Sequence, residues 1–135
     1  MSLIMRRIPF NALQTGVYSL LSSGQTTPVY DDVPKEAKLP FITFGAFTCK
    51  KNGAKSIDIS DVSLQIHIWS EYYGKSEVNG IADDIATVLA SKRIDLSADN
   101  FNVIEQDVDF IEAFEEDEGG YHGVLTLVCK VQNLK

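Results

Sequence analysis

The stretch Asp61-Val62-Ser63-Leu64-Gln65-Ile66-His67-Ile68-Trp69-Ser70, then Glu71-Tyr72-Tyr73-Gly74, then Lys75-Ser76-Glu77-Val78-Asn79-Gly80-Ile81-Ala82-Asp83-Asp84-Ile85-Ala86-Thr87-Val88-Leu89, decides the fold. In its first part apolar residues alternate with others, so Val62, Leu64, Ile66 and Ile68 share one face of a predicted strand. In its last part Val78, Ile81, Ala82, Ile85, Val88 and Leu89 recur at spacings of three and four and line one stripe of a helix over residues 75–91. The period switches from two to 3.6 across a short turn-like link, and two apolar surfaces joined so closely are expected to pack on each other. Apart from Ala82, each stripe residue would stabilise the fold by ~1.5–3 kcal/mol when buried, before chain entropy is subtracted.

Working outward, Pro9 suits the first turn of a helix, and Phe10, Leu13, Val17, Leu20 and Leu21 follow helical spacing up to Gly24. Gly16 within it either weakens the helix or marks a close contact with another element. A connector with one short extended piece, Val29-Tyr30, leads to Leu39-Pro40. Residues 41–49 then read as a strand with Phe41, Thr43, Gly45 and Phe47 on one face and Ile42, Phe44 and Ala46 on the other. Residues 50–56, with Lys50, Lys51 and Lys55, lack apolar periodicity and are expected to form the loop of a β-hairpin whose second arm ends at Trp69.

Beyond the second helix, residues 101–114 are β-like but mixed, with neither parity cleanly apolar. Glu112, Glu115, Glu116, Asp117 and Glu118 then lead into Gly119-Gly120, an acidic turn. From Tyr121 to Gln132 a final strand presents Leu125, Leu127, Cys129 and Val131 to the core and pairs antiparallel with the strand before the turn. The expected class is therefore α+β: an antiparallel sheet of about four main strands with two helices packed on one face, as one domain over residues 1–135 with a loosely held tail at 1–8.

The totals limit the function. The chain has 135 residues and a formal net charge of −7, which disfavours a general electrostatic grip on nucleic acid. It leaves room for a protein that surrounds DNA without holding it. Cys49 and Cys129, eighty positions apart, form no metal pattern and read as reduced thiols. The apolar run Leu3-Ile4-Met5 is too short for a secretory signal, and no window approaches the roughly 20 apolar residues of a membrane span.

Motifs for chemistry are missing from this reading. His67 and His122 have no Cys, His or carboxylate at a metal-site interval, no serine sits in a nucleophile elbow, and no glycine-rich loop resembles a phosphate cradle. Asp83 and Asp84, adjacent on a helix, point about 100° apart and do not converge on one substrate. No catalytic, cofactor or metal residue is therefore assigned.

Other residues are candidates for contact. Lys50, Lys51 and Lys55 are either a solvated hairpin tip or a docking loop. Gln65, His67 and Trp69, on the strand face opposite the apolar stripe, are either covered by another segment or offered to a neighbour. Glu115, Glu116, Asp117 and Glu118 are either a solvated surface or a functional negative surface facing a basic partner or a DNA passage.

Val29-Tyr30-Asp31-Asp32-Val33-Pro34, Leu39-Pro40-Phe41-Ile42-Thr43-Phe44-Gly45, Leu64-Gln65-Ile66-His67-Ile68-Trp69-Ser70 with the following helix, and His122-Gly123-Val124-Leu125, in this order and spacing, resemble the tail completion, or tail-to-head joining, proteins of long-tailed bacteriophages. The nearest likeness is to that of a siphophage infecting Bacillus, and it runs over about residues 10–131. The resemblance implies a non-enzymatic virion protein without cofactor that caps the head-proximal end of the tail tube as a ring, commonly six-fold, and joins it to the connector of the DNA-filled head. It implies tail tube protein, head connector protein and further copies as partners, and passing DNA that is not tightly bound. The free protein is expected to be largely monomeric, in the host cytoplasm during assembly and then in the virion. The competing class is a small cytosolic enzyme or ligand-binding domain without a sequence signature, which predicts a deep pocket with perturbed titratable groups.

Overall fold

The computed structural model describes residues 5–71 and 75–135, so the turn read at Tyr72-Tyr73-Gly74 and the first four residues of the tail lie outside the described residues. Helix α1 spans Phe10–Gly24, strand β1 Phe41–Lys51, β2 Ile59–Ser70, helix α2 Ser76–Ser91, β3 Phe101–Glu115 and β4 Tyr121–Asn133, with one turn of 3-10 helix at Ser97–Asp99. The strands form one antiparallel sheet in the order β1-β2-β4-β3. This is the expected α+β class, with β1–β2 and β3–β4 as hairpins. Val29 adds a single parallel bridge to Ile42 at the start of β1.

One face of the sheet carries the core. Val62, Leu64, Ile66 and Ile68 of β2 and Leu125, Leu127, Cys129 and Val131 of β4 are buried together with the whole α2 stripe and with Ala12, Leu13, Val17 and Leu21 of α1. Gly16 is a point of close approach: a Cβ there would lie 2.7 Å from Leu96 Cδ2 and 3.1 Å from Ile94 Cγ2, so α1 lies hard against the segment leading into β3. The end of α2 is tied to the sheet by Gln106, whose Nε2 donates to the carbonyls of Leu89 (2.9 Å) and Lys92 (2.7 Å) while its Oε1 accepts from Ile94 N at 2.8 Å. Carbonyls that a helix terminus leaves without an internal partner are thereby satisfied from the neighbouring layer.

Bulges correct the face assignments. In β1 the register shifts between Phe44 and Phe47, so Phe47, opposite Leu64, joins Ile42 and Phe44 on the core face rather than Phe41 and Thr43. In β3 it shifts twice, between Val103 and Glu105 and between Val108 and Phe110. Each extra residue reverses the parity. The core side therefore runs Phe101 and Val103, then Gln106 and Val108, then Ile111 and Ala113, which explains why residues 101–114 show no clean alternation.

Cys49 of β1 and Cys129 of β4 both register with Val62 of the strand between them. Two strand spacings separate their Cα atoms by about 10 Å, past the ~7 Å at which a disulfide can close. Burial pushes the Cys129 thiol up to about 12, so it stays protonated and unreactive.

Candidate interaction surfaces

Among the described residues no element covers the face of the sheet opposite the helices, and the aromatic group predicted on β2 lies there. Register places Trp69 opposite His122 and His67 opposite Val124, bringing together two histidines fifty-five positions apart. The indole of Trp69 stacks on the His122 ring with centroids 3.8 Å apart, and its Nε1–H donates to Thr43 Oγ1 at 3.0 Å. His67 Nδ1 lies 2.6 Å from His122 Nε2, and His122 Nδ1 lies 2.6 Å from Glu116 Oε1.

The polar chain fixes its own tautomers. Glu116 can only accept when ionised, so His122 donates from Nδ1 and accepts at Nε2 from His67 Nδ1–H. Neutral His67 then carries its lone pair on Nε2, 3.2 Å from Gln65 Oε1, so this assignment turns the Gln65 amide over to present its NH2. Gly45 gives the ring its space: a Cβ at that position would lie 2.2 Å from His67 Nε2. Gln65, His67 and Trp69 are thus half-buried by each other and by His122, not by a further segment, and their upper surfaces remain open.

Burial, with the neighbouring His122 second, lowers the His67 pKa from its ordinary value. Of charged or titratable groups, His122 faces it directly and Glu116 through His122. The unfolded chain therefore takes up a proton first as pH falls. The contribution of this group is full above the unfolded value of about 6.5 and is lost as pH falls below it towards the folded value. Urea denaturation between about pH 8 and pH 5 is expected to show stability declining with acid, and His67→Gln is expected to flatten that part of the profile.

At the far end of the strands lies a second polar cluster that sequence patterns did not reveal. Asp58, in the β1–β2 loop, is 4% exposed. Its Oδ2 accepts from Arg7 N (2.8 Å) and Asn133 Nδ2 (3.1 Å), and its Oδ1 accepts from Lys51 Nζ (3.0 Å), with Arg6 Nη1 at 3.7 Å. Asn133 Nδ2 also donates to Met5 O, Arg7 Nη1 donates to Asn133 Oδ1, and the Arg7 guanidinium lies 4.0 Å over the Phe101 ring. Burial raises the Asp58 pKa, but Arg7 N, Lys51 and Asn133 outweigh it and hold the carboxyl below the ordinary aspartate range. Where a loosely held tail is expected at 1–8, residues 5–8 are stapled to the ends of β2, β3 and β4. Lys50 and Lys51, expected in the loop over residues 50–56, instead close β1; all three lysines are exposed, and of them Lys51 belongs to this staple.

The acidic turn lies at the opposite end. Glu115 closes β3, Glu116 bonds to His122, and Asp117 and Glu118 are exposed in a turn whose Gly119 and Gly120 have φ of 96° and 85°. The open face also has a shallow groove of about 470 Å³, lined in part by Thr48, Asp61, Ser63, Glu105, Asp107 and Lys130; neither histidine reaches it. Among the described residues no group of three metal-ligating side chains converges, and no helix is long and apolar enough to cross a membrane.

A rigid α+β platform with one uncovered sheet face and two oppositely charged ends has the make-up of a structural assembly module. The family model of tail completion protein gp17 matches residues 15–131, and the chain belongs to that family. It is a structural protein with a role in phage tail assembly, a component of the phage particle and not an enzyme.

Its fold is similar to a chain in the virion of native gene transfer agent (GTA) particle, at a TM-score of 0.79 and 16% identity over 91% of this chain and 96% of that one. It is also similar to the bacteriophage SPP1 gp17 protein, at a TM-score of 0.61 and 17% identity over 96% of this chain and 95% of that one. No curated protein matches.

Proposed function

We propose that this protein caps the head-proximal end of the phage tail tube and joins the tail to the head connector, as a ring, six-fold in the commonest arrangement, around the channel for DNA. The observation that carries this reading is the family match across residues 15–131. Agreement of the fold with two phage-type particle proteins over nearly the whole of each chain supports it.

A head-to-tail ring needs two different side surfaces on each subunit besides its top and bottom. The open sheet face with Gln65, His67 and Trp69, the end of β1 with Lys50 and the loop after it with Lys55, and the acidic turn offer distinct surfaces. A net charge of −7 suits a wall past which a polyanion slides with few counterions released. Tail tube protein, head connector protein and other copies of this chain are the partners in this reading. The free protein is monomeric in the host cytoplasm until the tube end templates the ring.

The test is co-purification. Added to tail tubes from particles lacking it, the protein is expected to sediment with the tubes and to restore their joining to filled heads. Protein that stays in the supernatant, with heads and tails unjoined, would refute the proposal.

A further inference from the structure

The strands separate the charges of this domain along one axis. At the end where β1 and β4 finish and β2 and β3 begin, Arg6, Lys50, Lys55 and Lys135 surround the Asp58 staple. At the other end lie Glu115, Asp117 and Glu118, with Glu112 just behind them on β3. Twelve residues of β2 hold the two ends about 40 Å apart at ~3.3 Å per residue.

Six of the exposed large apolar residues lie at the basic end or on the acidic hairpin. Met5 (58%), Ile8 (67%), Ile57 (40%) and Leu134 (56%) are exposed at the basic end. Met5 bonds to the staple through its carbonyl, and the other three are chain neighbours of Arg7, Asp58 and Asn133. Phe110 and Ile111 are both 53% exposed on the β3 arm of the acidic hairpin, between Asp109 and Glu112, several residues short of its tip and on opposite faces of the strand. The exposed cations Arg6, Lys50, Lys55 and Lys135 thus outnumber the acids Asp61 and Asp99 near them at one end, and the hairpin at the other is a run of carboxylates. Such a pair of surfaces complements itself between copies and not within one.

We infer that the acidic β3–β4 hairpin of one copy docks on the stapled basic end of the next. The occupant of the basic end is thus a second copy of this chain, held by ion pairs between the hairpin carboxylates and the exposed cations of that end. The contact is heterologous, so repetition closes a ring when the rotation between copies allows it. It deepens the ring reading proposed above by naming its surfaces, and it puts Glu115, Asp117 and Glu118 between subunits rather than on the channel wall. Exposed ion pairs contribute little each and are screened by salt, so the contact is weak in the free protein and strengthens when a tube end aligns the copies.

Zero-length carbodiimide coupling of the pure protein at high concentration and low salt, read by mass spectrometry, tests this directly. Glu115, Asp117 or Glu118 is expected to couple to Lys50, Lys55 or Lys135. The separation of the ends excludes such links within one chain, so each reports a contact between copies. Two charge-reversed proteins complete the test, Glu115→Lys/Asp117→Lys/Glu118→Lys and Arg6→Glu/Lys50→Glu/Lys55→Glu. Each alone is expected to self-associate about tenfold more weakly or worse, and mixing the two is expected to restore association, which loss of folding could not do.

Wild-type protein that yields no tip-to-base link under these conditions overturns the inference. So do singly reversed proteins that self-associate as strongly as wild type, or a basic end that takes up duplex DNA instead of a second copy. The measurement uses the isolated chain: intact coupling with failed tube binding would sink the tail-joining reading alone, and tube binding without coupling would sink this contact alone.

Discussion

Replacing Ile85 by Asp is expected to abolish the folded domain. Ile85 is fully buried at the centre of the α2 stripe, with Val78, Ile81 and Ala82 before it and Val88 and Leu89 after. Asp there removes a core side chain and places a carboxylate where no described cation reaches it. Losing the side chain alone costs ~2–5 kcal/mol, and the buried unpaired charge adds to that. A domain of this size is stable by only about 5–15 kcal/mol, so the two terms take most or all of it. Circular dichroism should show no cooperative thermal transition, whereas Ile85→Val, which leaves the stripe apolar, should cost only ~0.5–1.5 kcal/mol. An Ile85→Asp protein melting like wild type would mean that α2 does not carry the core.

Asp58→Ala is expected to destabilise by about 3 kcal/mol, in the range for removing one partner of a buried charged pair. The loss has several parts. The N–H of Arg7 and the amide of Asn133 lose their acceptor, Lys51 loses its counter-charge, and residues 5–8 lose the anchor that holds them to the sheet. Denaturant melts would give the magnitude, and faster tryptic cleavage after Arg6 and Arg7 would show where it acts. The wild-type contribution depends on pH in a defined sense. The folded carboxyl titrates below the unfolded value of about 3.9, so its stabilisation is complete above that value and is lost as pH falls through the folded one. The Ala variant should lack this step.

Legibility of the fold followed the straightness of its elements. The α2 stripe and the β2 alternation are unbroken runs, and every apolar residue assigned to them is buried. Strand β3 hid its core face because two bulges reverse its parity within fifteen residues, and no window long enough to show a period survives between them. In β1 one signal was present: a glycine inside a strand marks a bulge or a close approach, and Gly45 is both, lying in the bulged stretch under the His67 ring.

The surfaces were legible only in part. Parity alone put Gln65, His67 and Trp69 on the face away from the core. The union of His67 with His122 and Glu116 depends on the β2–β4 register, which no local pattern encodes. Asp58 was missed for a similar reason, since its partners Arg7, Lys51 and Asn133 meet only when three chain segments converge at one end of the sheet. A carboxylate between Ile57 and Ile59 was the single local hint.

The twice-bulged β3 is also the strand at one margin of the sheet, and this bears on how the protein waits. A subunit made before its place in the particle exists must persist at high concentration without adding strand to strand. The two bulges leave no long straight row of unpaired amides for another backbone to follow, and Glu105, Asp107, Asp109, Glu112 and Glu115 repel a like-charged newcomer along the same margin. Irregularity that obscures the strand in the sequence thereby protects the pool of unassembled subunits from premature aggregation, leaving recruitment to the surfaces at the two ends of the sheet.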